Sequence, residues 1–358
     1  MTQIDCQIHN CDCITGMAEH LEPNSVDVCI SSIPFGSLYM YSGKAEDVGN
    51  NSDGVDMRAG QFGLHMRFFV ESLFRVMKPG TNVCIHIQQL LRYKNQHGYM
   101  GRRDFRGAVI DIWSAGGFEW TGEIVIPKDP QVIAQRLSLH SLMFVTGKRN
   151  SRLWSPAVND YVMIFQKPGE PMDECAALYD SKDNPGGWMT CEQWIKWASG
   201  TWDDIRETDV LDGWRSARES EEEKHVCPLQ LSIYLRLLNM YSAPGAVALD
   251  PFAGINSLAY VALGGKCDDG VLLAPRKVRG FELKKHYFDL GNRNIEKLKA
   301  ELLERERDLF TLAAASKVRC PHQGLPHLCP ICQPMETGRP PAEAMHGAAE
   351  AMQGSAVL

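Results

Sequence analysis

The feature that most constrains this chain is a regular alternation of short apolar runs with stretches of helical period. Val26-Asp27-Val28-Cys29-Ile30-Ser31 reads as a buried strand that ends in a loop, and Phe62 to Met77 as an amphipathic helix stopped by Lys78-Pro79-Gly80. Asn82 to Ile87 is the next strand, and Asp104 to Ala115 a helix closed by Gly116-Gly117. Strands follow at Trp120 to Ile126 and Tyr161 to Gln166. The rhythm then breaks. Glu170 to Glu223 is polar, carries Trp188, Trp194, Trp197, Trp202 and Trp214, and reads as an insertion with short helices. It resumes with a helix over Pro228 to Tyr241, a strand over Ala246 to Asp250, a helix over Ser257 to Leu263, a strand over Val278 to Glu282 and a charged helix from Lys284 to about Arg307. Such alternation implies an α/β fold with a mostly parallel sheet and helices on both faces.

At 358 residues and 44% hydrophobic, the chain can bury a large core. No apolar run approaches the roughly 20 residues needed to span a bilayer. The N-terminus, Met1-Thr2-Gln3-Ile4-Asp5, lacks the basic and apolar regions of a signal peptide, so a cytoplasmic, intracellular protein without membrane contact is expected. Of 12 cysteines, nine lie between Cys6 and Cys267 without a framework pattern. Cys29 and Cys84 sit inside strand-like runs and read as reduced, buried thiols. A net charge of -7 does not advertise a nucleic-acid binder, but ten basic residues face six acidic ones between His86 and Asp160. That local excess is compatible with DNA and equally with an ordinary solvated surface.

The sharpest local signal is Val247-Ala248-Leu249-Asp250-Pro251-Phe252-Ala253-Gly254-Ile255-Asn256-Ser257, a short strand that runs into an acid, a turn with glycine and a helix. Ligands of open α/β sheets sit beyond the carboxyl ends of strands, where small residues let backbone approach them. Glu282 ends the next strand, where a carboxylate usually accepts ribose hydroxyls. Strand, turn and helix with one glycine also occur without a ligand. The segment has neither the Gly-Lys-Ser/Thr of a phosphate loop nor a G-x-G-x-x-G, which argues against a nucleoside triphosphate and a dinucleotide.

Asp250-Pro251-Phe252-Ala253-Gly254 resembles the S-adenosylmethionine loop of DNA amino-methyltransferases, and Glu223 to Leu231 resembles their lead-in segment. The resemblance implies a Rossmann-like S-adenosylmethionine-dependent methyltransferase fold. It implies cofactor contacts from His225, Cys227, Pro228, Asp250, Phe252, Ala253, Gly254, Asn256, Ser257 and Glu282. The family commonly has Gly-Ser-Gly-Thr-Thr where this chain has Gly254-Ile255-Asn256-Ser257-Leu258.

Ser32-Ile33-Pro34-Phe35, directly after the strand ending at Ile30 and Ser31, resembles the family's Ser/Asp-Pro-Pro-Tyr/Phe catalytic loop, with Ile33 in place of the first proline. Its residue types suit the chemistry. An exocyclic amine conjugated to a base is a poor nucleophile. A side-chain oxygen and a backbone carbonyl that accept its N–H bonds favour pyramidal nitrogen. Stacking of the base on Phe35 is worth about 1–3 kcal/mol, against a few kcal/mol of unstacking when the base flips. Alone, the tetrapeptide would be an ordinary turn. Asn10-Cys11-Asp12-Cys13 also matches the family, where such an Asp meets the cofactor adenine; Asp12 reads equally as a helix N-cap.

The catalytic loop precedes the cofactor loop, the circularly permuted, β-class order. Ser37 to Ser42, Gly101 to Gly107, Lys128-Asp129-Pro130 and Trp202 to Ile205 fit a branch found in phages and prophages. On this reading residues 1–169 are the catalytic half, with a DNA-facing segment at 86–160; 170–222 is a target-recognition insertion, 223–307 the cofactor half, and 308–358 a mobile tail. Arg102, Arg103 and Arg106, opening a helix, and Lys148, Arg149 and Arg152, in a loop, are candidates to grip phosphates or read guanine edges of double-stranded DNA. The alternative is a solvated surface, as local core is for the tryptophans. Cys320, His322, His327, Cys329 and Cys332 offer zinc ligands ending in C-x-x-C, within residues 320–332; the alternative is an unstructured tail.

The expected activity is methyl transfer from S-adenosylmethionine to cytosine N4 or adenine N6, by a monomer or homodimer, as in restriction-modification systems. Carbon methylation at cytosine C5 needs a cysteine nucleophile, and the loop from Ser31 to Gly36 has none. Serine at the first loop position leans towards cytosine N4 within the family. The rivals are a catalytically impaired DNA-binding or sensor protein on the same fold, and a methyltransferase acting on RNA or protein.

Overall fold

The central strands are apolar on both faces, as strands must be when helices cover both sides of a sheet. A computed structural model describes residues 5–35, 46–48, 57–137, 139–180, 182–211, 228–272 and 274–315. Its main sheet contains β1 (Cys6–His9), β2 (Val26–Ser32), β3 (Met77–Gln88), β4 (Glu119–Ile126), β5 (Asp160–Gln166), β6 (Val247–Asp250) and β7 (Lys277–Phe281). Their spatial order is β1-β7-β6-β2-β3-β5-β4. The pairings from β1 to β3 are all parallel, and β5 alone runs against its neighbours β3 and β4. The mostly parallel sheet expected from the sequence is therefore present. The two halves of the chain interleave in it, because β6 and β7 insert between β1 and β2.

The principal helices are α1 (Cys13–His20), α2 (Gln61–Val76), α3 (Phe105–Ala115), α4 (Cys191–Trp197), α5 (Leu231–Tyr241), α6 (Ser257–Ala262) and α7 (Lys285–Ala315). In α2, Phe62, Met66, Phe69, Val70 and Leu73 recur at helical spacing and are fully buried. Burying each such side chain contributes about 1.5–3 kcal/mol. They share one core with Met17 of α1, with Phe105, Val109 and Trp113 of α3, and with Cys29, Val83, Ile85 and Ile87 of the sheet. Val28, Ile30 and Cys84 alternate with those strand residues and are buried too, while α5 contacts β2 and β3, so both faces of the sheet are covered. Residues 1–299 form one compact unit, and a second begins at Ala300 within α7.

Three local expectations are corrected. Lys78-Pro79-Gly80 does not separate helix from strand: β3 begins at Met77, and the register slips from Val26 opposite Met77 to Val28 opposite Asn82. Gly80 makes this irregularity possible with φ of +72°, and Lys78 Nζ anchors it 2.6 Å from Asp27. Arg102 and Arg103 do not open a helix. They lie on a strand, Gly101–Arg103, paired with Leu90–Arg92, and α3 starts behind the Asp104 cap, whose side chain accepts from Gly107 N–H. Lys148 and Arg149 end a short helix, Phe144–Arg149, where a loop was expected.

The expected insertion contains α4, capped reciprocally by Thr190 and Gln193, plus isolated bridges such as Leu178 with Met189. Trp197 and Trp202 are buried core, Trp188 donates to the Asn239 carbonyl, Trp194 is exposed, and Trp214 lies outside the described residues. Among the described residues no helix is long and apolar enough to cross a membrane.

Candidate active site

Parallel strands deliver their carboxyl ends to one edge of the sheet, and this chain places its polar strand ends there. Ser31 and Ser32 end β2, Asp250 ends β6, Glu282 follows β7, and Asp12 follows β1 at the head of α1. His86 and Gln88 end β3 on the same edge. Because β5 is antiparallel, its first residue, Asp160, arrives opposite Gln88 at that edge as well. Asp12, Ser32, His86, Gln88, Asp160 and Glu282 line a cleft of about 1420 Å³, counting its open mouth.

One wall of the cleft is the turn after β6. Pro251, Phe252, Ala253, Gly254, Ile255 and Ser257 line it, with Asp12, Pro228 and Glu282. Glu282 organises the turn: one carboxylate oxygen accepts from Gly254 N–H and the other from Lys284 N–H, each at 2.8 Å. Burial pushes its carboxyl up to about 7, against those two donors. Asp12 caps α1, one of its two sequence readings, by accepting from Ile14 and Thr15 N–H at 3.0 Å, and it also lines the cleft.

Two residues expected to touch a cofactor do not line the cleft. Asp250 is 2% exposed, and its Oδ1 accepts from Ser31 Oγ at 2.6 Å and from Phe252 N–H at 3.1 Å. Burial raises it to about 6 in spite of these bonds and of Tyr234. It braces the loop. Asn256 is 1% exposed and adopts φ of +68°, the left-handed conformation that glycine or asparagine tolerates best. Its amide faces Gly291 of α7, where a Cβ would lie 2.7 Å from its Nδ2. Asn256 therefore satisfies a backbone requirement where the family commonly has glycine. His225 and Cys227 lie outside the described residues, as do Ser37 to Ser42.

The opposite wall carries Ser32, Ile33, Pro34 and Phe35. Phe35 is fixed edge-on against Phe105, with ring centroids 6.1 Å apart, and its ring lies 5.9 Å from that of His86. Ser32 Oγ is 3.0 Å from His86 Nδ1, and His86 Nε2 is 3.2 Å from Asp160 Oδ2. The same carboxylate receives Lys128 Nζ at 2.9 Å and Gln88 Nε2 at 2.7 Å. Burial would raise the Asp160 carboxyl, but His86 and Lys128 hold it down at about 2. Sequence reasoning did not single out His86, Gln88 or Asp160, and noted Lys128 only within a short match. The available signal was a histidine near the end of an otherwise apolar strand, Asn82-Val83-Cys84-Ile85-His86-Ile87-Gln88.

The basic candidates divide. Arg103 is 5% exposed, and Arg106 pairs with Glu123 and lies over the Trp120 ring. Arg102 donates to the carbonyls of Pro156 and Ala157. Lys148 lies over the Phe144 ring, and Arg149 and Arg152 are exposed. Cys320, His322, His327, Cys329 and Cys332 lie outside the described residues; among the described ones no group of three His, Cys, Asp or Glu side chains is placed to hold a metal ion.

Comparison with known proteins adds the family. No curated protein sequence matches the chain. Among solved structures, a candidate DNA modification methylase of Thermus thermophilus, complexed with S-adenosyl-L-methionine, superposes with a TM-score of 0.55 at 18% identity, over 82% of this chain and 94% of that one. The cytosine-N4-specific PvuII DNA methyltransferase gives 0.51 at 15% identity, over 84% and 92%. At such identities the likeness is one of fold. The sequence profile of the N6/N4 methyltransferases, described as DNA methylase, matches residues 26–293, so the chain belongs to that DNA methylase family.

Proposed function

We propose that the protein transfers the methyl group of S-adenosylmethionine to an exocyclic amine of a flipped DNA base, cytosine N4 or adenine N6. The observation that carries this reading is the union, in one cleft, of the Ala253-Gly254 turn beside Glu282 with the Ser32-to-Phe35 loop. A donor held on one wall then faces an acceptor held on the other.

The residues on the first wall suit the cofactor. Each Glu282 oxygen uses one lone-pair direction on a backbone N–H, which leaves acceptor capacity for ribose hydroxyls. Gly254, with φ of +54°, lets backbone come close to the ligand. On this reading Asp12, which lines the cleft, accepts from the adenine amine, Pro228 and Phe252 supply apolar wall, and Ser257 opens α6. Bound there, S-adenosylmethionine supplies an electrophilic methyl group. On the second wall, Ser32 Oγ and the Ile33 carbonyl accept the two N–H bonds of the target amine, and Phe35 stacks on the base. Serine in place of a carboxylate favours cytosine N4 over adenine N6. Arg102, Lys148, Arg149 and Arg152 provide cationic surface for the phosphates of double-stranded DNA.

Incubation with tritiated S-adenosylmethionine and mixed-sequence DNA is expected to label DNA. Single-molecule sequencing of DNA from cells that express the protein then gives base and site together. Only 5-methylcytosine in that DNA would overturn the mechanism. Retained DNA binding without label would favour the impaired binder, and label in competing RNA the RNA enzyme.

A further inference from the structure

We infer that His86 is a positioning residue that takes, through Ser32, the proton released by the target amine, with Asp160 fixing its ring for that task. The inference rests on the methyltransferase reading above. It concerns the step that reading leaves open, the destination of the amine's proton.

The chemistry requires such a destination. When the nitrogen lone pair bonds to the methyl carbon, sulfur keeps the electron pair of the bond that breaks, and the nitrogen becomes cationic. It must shed one proton to leave a neutral methylamino group. A serine hydroxyl is too weak a base to retain that proton, and the Ile33 carbonyl is weaker still. In the structure Ser32 Oγ is in contact with one basic side chain, His86, at Nδ1. The balanced transfer moves the amine proton to Ser32 Oγ as the Ser32 proton moves to His86 Nδ1. The imidazolium that results is paired with Asp160.

The surroundings fit this direction of transfer. With the Asp160 carboxylate 3.2 Å from Nε2, its charge favours the ring's N–H at Nε2, though the pair is not aligned as a hydrogen bond, and the lone pair at Nδ1, towards Ser32. Asp160 is itself held by Lys128 and Gln88, so its orientation does not depend on His86. Among the described residues, Asp160 meets the ring at Nε2 and carries the Lys128 cation on the same carboxylate; from β2 the ring meets Ser32, and from the loop Phe35. All of these residues line the same cleft. A cluster that served only to tie β3 to β5 would gain nothing from opening beside the catalytic loop, because a buried ion pair costs desolvation that an apolar contact avoids.

The decisive variant is His86→Asn. Its Oδ1 can replace Nδ1 as an acceptor for the Ser32 hydroxyl, but it cannot take up a proton. Single-turnover methylation at saturating cofactor is expected to fall about a hundredfold or more, in the range of lost general-base catalysis, while cofactor affinity by calorimetry stays at the wild-type value. The second readout needs no activity. Ring 15N NMR of the whole protein should show His86 protonated at Nε2 and bare at Nδ1, with the proton moved to Nδ1 in Asp160→Asn. A His86→Asn protein that methylates as fast as wild type, or a wild-type ring protonated at Nδ1, overturns the relay and leaves the methyltransferase reading intact. Failure of the wild type to label any DNA overturns that reading, and the relay with it.

Discussion

Two carboxylates face each other across the cleft and are held in opposite states. Glu282 accepts the backbone N–H groups of Gly254 and Lys284, and burial lifts it to about 7. Asp160 is no less enclosed, yet His86 and Lys128 beside it hold it at about 2. Burial alone does not decide whether an acid is charged; the partners it is buried with do. The wall with Glu282 is therefore tunable near neutrality, and the wall with Asp160 is a fixed charge.

That contrast can be broken or sharpened by experiment. The largest effect is expected from Asp160→Ala, which leaves Lys128 and His86 buried without their anion. Stability by chemical denaturation should fall by about 3–5 kcal/mol. A loss near zero would show that the cluster is not electrostatically coupled. Ser32→Ala should slow single-turnover methylation by roughly a hundredfold, about 2.7 kcal/mol, with cofactor affinity unchanged. Equal losses in both would move Ser32 to the donor wall. Glu282→Ala removes a charged acceptor, and calorimetry should show cofactor binding weakened by about 1.5–3 kcal/mol, with a further loss of about 1–3 kcal/mol in folding stability because Gly254 and Lys284 N–H lose their acceptor.

The smallest effect is the dependence on pH. Glu282 is raised above its usual value, so the free protein favours its protonated form as pH falls through about 7. Ribose hydroxyls donate to the ionised form, so binding releases a proton and tightens as pH rises. Affinity at pH 6 should be about tenfold below its plateau near pH 8, and Glu282→Gln should flatten the curve. Asp160, held at about 2, contributes nothing over that window.

The strand, turn and helix that make one wall of the cleft were legible because they are contiguous: Val247 to Ser257 carries strand, acid, turn and helix start in eleven consecutive residues. The loop at Ser32 was legible for the same reason. The His86 and Asp160 cluster was not, since its members lie 74 residues apart and meet only because β5 runs backwards to place Asp160 opposite Gln88. Pattern reading also assigns function by position along the strand, and so gave Asp250 to the ligand. Side-chain direction decided otherwise, turning it inward to Ser31. Asn256 was misread for a related reason, because its identity answers to a backbone angle and not to a partner. Arg102 and Arg103 were placed on a helix by their closeness to Asp104, where that cap marks the boundary.

The bond from Ser31 Oγ to Asp250 Oδ1 has a consequence for how defects would be inherited. It joins the residue just before the acceptor loop to the residue just before the donor turn, as a rivet joins two plates. On the proposed reading, the spacing between the two reactants is thereby tied to the sheet, set when the chain folds. Any change that slackens the rivet displaces both reactants together. A loss of cofactor affinity in Asp250→Ala would thus report a loosened frame, and it should bring misalignment of the base along with it.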